Sequence, residues 1–144
     1  MQIRRMTIED CKQVADIEAV SFSVPWSLRA FVDTVEKENF RYFVAEENGE
    51  ILGYCGFLYV LDEAEIPNVC VKESARRRGV GREMLNALIN EAEKLGIVML
   101  YLEVRESNLA AKGLYEALGF VENGIRKNFY EQPVENAVLM SKTL

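Results

Sequence analysis

The stretch from Ala64 to Val104 limits the possible folds more than any other part of the chain. It contains an apolar strand, a basic turn with Gly79 and Gly81, an amphipathic helix that Gly96 ends, and a second apolar strand from Ile97. The helix is predicted from apolar residues at three- and four-residue intervals: Val80, Met84, Leu85, Leu88, Ile89, Ala92 and Leu95. Such a unit is expected to have parallel strands, a right-handed crossover and a ligand at the carboxyl ends of the strands.

The turn has the sequence RRRGVG over residues 76–81, directly before the helix. Unpaired N–H groups and the positive dipole end of a helix attract phosphate, and glycine lets an anion approach the backbone. A tight turn with solvated arginines explains the same residues equally well, because a single G-x-G is a weak motif. The turn lacks the Lys-Ser/Thr ending of a P-loop, which argues against a nucleoside triphosphate with magnesium.

Turn residues and hydrophobic patterns divide the rest of the chain into further elements. Three further helices are predicted, from Thr7 to about Ser21, after Ser27 and after Asn108. Five further strands are predicted, at Gln2–Met6, Arg41–Glu46, Ile51–Leu61, Phe120–Tyr130 and Glu135–Ser141. The order of elements predicts one α/β domain over residues 1–144, with helices packed on a mixed sheet.

Two strands carry more specific expectations. Pro67 cannot donate a ladder hydrogen bond, so the strand over residues 64–71 should bulge and open at Pro67 and Asn68. The strand over residues 97–104 is apolar at nearly every position, which predicts that both of its faces are covered. Asn48-Gly49 predicts a tight hairpin between two of the earlier strands.

Composition excludes several classes of function. The net charge of −6 argues against a nucleic-acid partner, and the absence of histidine removes the commonest general base and all histidine metal sites. Cys11, Cys55 and Cys70 lack C-x-x-C spacing, so buried thiols are expected rather than disulfides or zinc ligands. No secretory signal or membrane-length apolar run is present, so we expect a soluble, cytoplasmic protein with no membrane partner and no metal.

Few side chains stand out as candidates for chemistry. Glu103 continues a strand row with Met99 and Tyr101, and burial would raise its pKa toward that of a general base. A solvent-facing carboxylate, or one paired with Arg105, is the simpler interpretation. Tyr115 fits a core tyrosine with its hydroxyl at the rim. Five other side chains fit a pocket border, core packing or solvated surface equally well: Trp26, Asp62, Glu63, Glu65 and Tyr130.

The segment AAKGLYEALGF at Ala110–Phe120 resembles a signature motif of the GNAT superfamily of N-acetyltransferases, and the resemblance covers essentially the whole chain. Four shorter segments resemble its bacterial RimI group, the ribosomal-protein alanine N-acetyltransferases: PWS at 25–27, LDEA at 61–64, LEVRESN at 102–108 and RKNFY at 126–130. The resemblance implies a single-domain GNAT fold over residues 1–144. That fold has a central sheet of about seven strands, about four flanking helices, and splayed fourth and fifth strands.

The resemblance also implies a cofactor and a site. Acetyl-CoA would lie between the splayed strands, with Glu103 as the proton acceptor and Tyr115 as the proton donor to the departing thiolate. The cofactor-binding residues implied are Val69, Cys70, Val71, Arg77, Arg78, Gly79, Val80, Gly81, Arg82 and Asn108. Pro67, Cys70 and Phe129 depart from the family's usual residues, which affects the expected shape of the substrate cleft.

The activity implied is acetyl transfer to the N-terminal α-amine of a protein, with the N-terminal alanine of a small-subunit ribosomal protein as the acceptor. An α-amine with a pKa of about 7.7–8.0 is easier to deprotonate than a lysine of about 10.4. Two alternatives stay open: an acetyltransferase for lysine or a small-molecule amine, and a CoA-binding module without catalysis.

Overall fold

The computed structural model describes residues 1–144. Seven strands are present: β1 (Gln2–Arg5), β2 (Phe40–Glu47), β3 (Glu50–Val60), β4 (Glu63–Val71), β5 (Met99–Arg105), β6 (Val121–Glu131) and β7 (Val134–Thr143). Four α-helices accompany them: α1 (Cys11–Ser21), α2 (Leu28–Val35), α3 (Val80–Lys94) and α4 (Leu109–Ala117). Short 3₁₀ segments cover Ile8–Asp10 and Glu73–Ala75. The predicted set of seven strands and four helices is confirmed.

All seven strands belong to one mixed sheet in the order β1-β2-β3-β4-β5-β7-β6. The first four strands are antiparallel neighbours, β4 and β5 are parallel, and β7 lies antiparallel between β5 and β6. The predicted parallel unit around α3 is therefore confirmed. Because β7 lies between β5 and β6, the β6–β7 hairpin forms the edge of the sheet beyond β5.

Helices cover the sheet on two sides, and each side has its own core. On one side α3 and α4 pack on the sheet, with Met84, Leu85 and Leu88 fully buried. On the other side α1 and α2 cover β2 and β3 through Val14 and Phe31. The strands β2 and β3 are buried on both faces, as two covering layers require. None of the four helices is long and apolar enough to cross a membrane.

The expectation that β5 is covered on both faces is wrong. Leu100, Leu102 and Val104 are buried under α3 and α4, but Glu103 on the opposite face is exposed. The reason is positional, because the two helices on that side lie over β2 and β3 rather than over β5. The uncovered face of β5 becomes part of a cleft.

The bulge predicted at Pro67 is confirmed. Phe57 of β3 faces two residues of β4, Ile66 and Pro67, which is the arrangement of a β-bulge. Pairing between β4 and β5 also stops there, with Ile66 facing Leu102 as the last partners. Beyond this point the two parallel strands diverge, and Pro67 and Asn68 are the first two residues of β4 in the splayed part.

Local signals in the sequence set several element boundaries. Ser27 accepts a hydrogen bond from Ala30 N–H at 3.1 Å, and Asn108 accepts one from Ala111 N–H at 3.1 Å, so both predicted caps are present. The turn between β2 and β3 has positive φ at Asn48 (53°) and at the following glycine (82°), as its sequence predicts. The three cysteines are buried free thiols, as expected.

Candidate active site

A cleft of about 740 Å³ opens where β4 and β5 diverge. Its floor is the splayed ends of these strands, one wall is the segment between α1 and α2, and the other is the turn between β6 and β7. Four of the predicted site residues line it: Val69, Glu103, Asn108 and Tyr115. Trp26 and Tyr130 also line it, whereas the acidic residues at 62, 63 and 65 do not.

The splayed end of β4 presents backbone groups to the gap. Lys72 N–H donates to Leu52 O of β3 at 2.7 Å, and hydrogen-bonded and non-hydrogen-bonded positions alternate along an antiparallel pair. The backbone of Cys70 therefore points toward β3, whereas Val69 and Val71 point their N–H and C=O groups toward the gap. The carbonyl of Val71 also accepts a hydrogen bond from Arg76 Nε at 3.2 Å. Val69 and Val71 are thus the strand-edge donors that face the gap.

The basic turn lies beside this edge, outside the cleft. Gly79 caps α3 in the left-handed region with φ of 77°, and a Cβ there would meet no atom within 4 Å. The first backbone hydrogen bond into α3 runs from Glu83 N–H to Gly79 O, so the preceding N–H groups of the helix have no backbone acceptor. The N-terminus of α3 is consequently an open set of donors with positive partial charge, as an anion site requires.

The remaining residues of the turn differ in which groups are available to bind an anion. Arg77 and Arg82 are exposed and make no salt bridge, whereas Arg78 is held by Glu47 at 2.8 Å. The side chain of Val80 is buried in the core, so only its backbone N–H is available. At Gly81 a Cβ would lie 3.1 Å from Leu114 Cδ2 of α4. This glycine therefore permits close packing of two helices, a role that its place in a G-x-G motif does not indicate.

Glu103 sits on the uncovered face of β5 with its side chain 37% exposed. It accepts a hydrogen bond from Arg126 Nη1 of β6 at 3.0 Å, not from Arg105. The side chain is not buried, because no helix covers this face of β5. Glu103 is thus a solvated, ion-paired carboxylate at the edge of the cleft.

Tyr115 reaches the cleft from the opposite side of the sheet. Its ring packs on Phe120 of the α3 and α4 core at 5.7 Å, and the residue is 7% exposed. The hydroxyl makes no hydrogen bond within the protein and is not fully buried. Since Tyr115 lines the cleft, its hydroxyl faces the cleft. Burial raises the pKa of Tyr115 well above its usual value, which keeps the phenol protonated.

Arg105 joins the two walls of the cleft. Its guanidinium stacks over the ring of Tyr130 at 4.3 Å. It donates to the hydroxyl of Ser23 in the α1–α2 segment at 3.4 Å, and to three acceptors around the β6–β7 turn: Gln132 O, Pro133 O and Glu135 Oε1. Hydrogen bonds from the side chain and the backbone N–H of Ser107, and then from the guanidinium of Arg105, hold the pKa of the Glu135 carboxyl below its usual value. Burial, with the nearby Glu103 charge, raises the pKa of Tyr130 to about 12.

One buried carboxylate of the cleft was not predicted from the sequence. Glu18 of α1 lines the cleft and is 2% exposed. Its position was detectable, because it follows Val14 by four residues and therefore continues the apolar stripe of α1. A carboxylate within such a stripe has to find hydrogen-bond donors in the core.

The mixed sheet, the bulge, the diverging parallel strands and the glycine turn before α3 together define the α/β fold of the N-acetyltransferases. The chain belongs to the Acetyltransferase (GNAT) family, whose model matches residues 11–120. Both the fold and the superfamily predicted from the sequence are confirmed.

Individual relatives agree with this assignment. The chain is 38% identical to the ribosomal protein bS18-alanine N-acetyltransferase of Escherichia coli (strain K12), over 96% of this chain and 95% of the relative. The crystal structure of the ribosomal-protein-S18-alanine N-acetyltransferase from Escherichia coli aligns with a TM-score of 0.90 at 37% identity, covering 99% of this chain and 92% of that one. An aminoglycoside 6'-N-acetyltransferase complexed with coenzyme A shares the fold, with a TM-score of 0.84 at 18% identity, 99% of this chain and 97% of that chain.

Proposed function

We propose that this protein transfers the acetyl group of acetyl-CoA to the N-terminal α-amine of a protein. The acceptor proposed is the N-terminal alanine of ribosomal protein bS18, which the Escherichia coli relative is named for. The main observation behind the proposal is the divergence of β4 and β5. The cleft between them is lined by strand-edge backbone donors, the carboxylate of Glu103 and the neutral phenol of Tyr115. The high identity over nearly full length supports the choice of acceptor.

The cofactor proposal follows the line of donors along β4 and α3. Acetyl-CoA, when bound, would supply the activated acetyl group. Val69 and Val71 would hold its amide-containing arm through backbone groups that face the gap, of which the Val71 carbonyl already accepts from Arg76. The N-terminus of α3 would bind its pyrophosphate with Arg77 and Arg82. Asn108, whose side-chain oxygen already caps α4, would use its amide N–H₂ toward the cofactor.

The proton transfers are assigned to groups on opposite sides of the sheet. The nitrogen of the acceptor has to lose protons as the new amide bond forms, and the sulfur that leaves as a thiolate has to gain one. Glu103, on the uncovered face, takes the proton from the amine directly or through water. Tyr115, protonated because burial raises its pKa, gives its proton to the thiolate. The two groups therefore approach the reacting carbonyl from different sides.

The test is acetyl transfer to short peptides. We expect CoA release with a peptide that begins with alanine and none with the same peptide blocked at its α-amine but carrying lysine. The variant Glu103→Gln should lower kcat by about 10²- to 10⁴-fold and leave acetyl-CoA affinity unchanged. Transfer to the blocked peptide would favour a lysine acetyltransferase. Transfer only to polyamines or aminoglycosides would favour a small-molecule enzyme, and no transfer to any amine a CoA-binding module.

A further inference from the structure

Glu18 lines the cleft and is the centre of a buried polar network. Its Oε1 accepts hydrogen bonds from the Tyr54 hydroxyl of β3 and from Asn68 Nδ2 at 3.3 Å. Its Oε2 accepts one from the backbone N–H of Trp26 at 3.0 Å. Tyr42 in turn donates its hydroxyl to Asn68 Oδ1 at 2.9 Å. The carboxylate thereby ties α1 to β3, to the bulge of β4 and to one cleft wall.

Hydrogen-bond donors surround this carboxylate. A backbone N–H can only donate, and Asn68 must turn its amide N–H₂ toward Glu18 because its oxygen accepts from Tyr42. The Tyr54 hydroxyl donates the third bond, so donors from three segments surround the two carboxylate oxygens. Such donors stabilise the negative charge of a carboxylate.

That charge has no positive partner within the protein. Glu18 makes no salt bridge with any lysine, arginine or the N-terminal amine. A buried carboxylate held only by neutral donors is costly, and a cation that enters the same cavity would interact with it favourably. Oε2 has one hydrogen-bond donor, so it can accept a second.

The position of Glu18 fits the arrival of a cationic amine. Asn68, its partner, is the second residue of β4 beyond the last pair with β5. The network also lies on the side of the sheet that carries α1 and α2, the side on which Glu103 stands, and both carboxylates line the same cleft. An amine that enters this cleft therefore enters a cavity lined by both carboxylates.

We propose that Glu18 recognises the positive charge of the acceptor's α-ammonium group and so distinguishes the acceptor from its acetylated product. This inference rests on the proposed function. Acetylation converts the ammonium group into a neutral amide, so the product loses the attraction to Glu18. The carboxylate therefore favours binding of the substrate and release of the product.

The test measures binding without reaction, with the whole protein saturated with CoA in place of acetyl-CoA. Three peptides of one sequence are compared by calorimetry at neutral pH: one that begins with alanine, one with propionyl in place of alanyl, and one N-acetylated. The propionyl peptide differs from the first only in lacking the amino group. We expect the free amine to bind about 10- to 100-fold more tightly than the propionyl peptide, as a charge-assisted hydrogen bond predicts.

The variant Glu18→Gln removes the charge at nearly constant volume, and in it the two peptides should bind equally. Tyr54→Phe is the matched control, because it removes a hydrogen bond from the same carboxylate but keeps its charge. Tyr54→Phe should therefore retain the preference for the free amine. Unchanged CoA affinity in both variants would show that they are folded.

Three results would overturn the proposal: equal binding of the two peptides by the unmodified protein, a preference that persists in Glu18→Gln, or a preference lost equally in Tyr54→Phe. If Glu18→Gln does not fold, the same peptides are compared in Glu103→Gln. Recognition by Glu18 requires this variant to keep the preference for the free amine, and loss of the preference would overturn the proposal. Acetyl transfer by the unmodified protein is measured separately. Its absence would refute the proposed function, whereas the binding ratio concerns Glu18 alone.

Discussion

Replacing Tyr115 with phenylalanine removes one oxygen atom from the cleft and leaves the core packing intact. The ring stays against Phe120, and the lost hydroxyl has no hydrogen-bond partner in the protein. We therefore expect the free energy of unfolding to change by less than about 1 kcal/mol. The same atom is the proposed acid, so its loss should lower kcat by about 10²- to 10⁴-fold. That corresponds to about 2.7 to 5.4 kcal/mol of transition-state stabilisation.

The assay follows free thiol release from acetyl-CoA with an alanine peptide, together with thermal unfolding. Tyr101→Phe is the matched control, since this tyrosine lies on the same sheet but outside the cleft lining. We expect Tyr115→Phe to keep the KM for acetyl-CoA and the melting temperature while kcat falls, and Tyr101→Phe to keep all three.

The pH profile adds an independent check. Because burial raises the pKa of Tyr115, this group stays protonated through neutral and mildly alkaline pH. The unmodified enzyme should then show no loss of activity from Tyr115 ionisation in that range. A kcat of Tyr115→Phe close to that of the unmodified enzyme at several pH values would refute the assignment.

Three further predictions concern stability, the cleft walls and the turn. Burial would raise the pKa of the Asp10 carboxyl, but hydrogen bonds from Arg4 and Thr7 hold it below its usual value. Asp10→Asn should thus cost about 1 to 3 kcal/mol near pH 7, and in denaturant titrations this difference should shrink below about pH 4, as pH falls through the folded-state pKa. Arg105→Met should raise the KM for the peptide about tenfold without changing that for acetyl-CoA, measured by steady-state kinetics; equal changes in both would contradict its role as a tie between the walls. Gly79→Ala, at φ of 77°, should cost about 1 to 2 kcal/mol and weaken CoA binding in calorimetry; unchanged CoA affinity would contradict the anion site.

Several parts of the fold follow from local chemistry and could be read along the chain. The caps at Ser27 and Asn108 and the turn at Asn48 depend on residues a few positions apart. The bulge at Pro67 was predictable for the same reason, since proline lacks the N–H group and disrupts strand pairing at its own position. The family motifs then indicated which strands diverge.

Other features depend on which elements become neighbours in space. Arg105 contacts residues 82 positions earlier and up to 30 positions later, and the partner of Glu103 is an arginine of β6 that is 23 residues away. The position of β7 between β5 and β6 sets the contacts with the last hairpin, and the packing of the α1–α2 segment sets the contact with Ser23. Nothing within β5 itself specifies them.

The sequence by itself determined the helices, the strands and the parallel unit around α3, because each rests on short-range periodicity, capping or a local motif. The residues proposed for chemistry came from the resemblance to a known family. Only the tertiary structure decided the environment of those residues. It left Glu103 solvated, since the helices of that side cover β2 and β3, and it buried Glu18 among donors from three separate segments. Burial and charge pairing are properties of the assembled layers, so they could not be assigned from either glutamate's place in the chain.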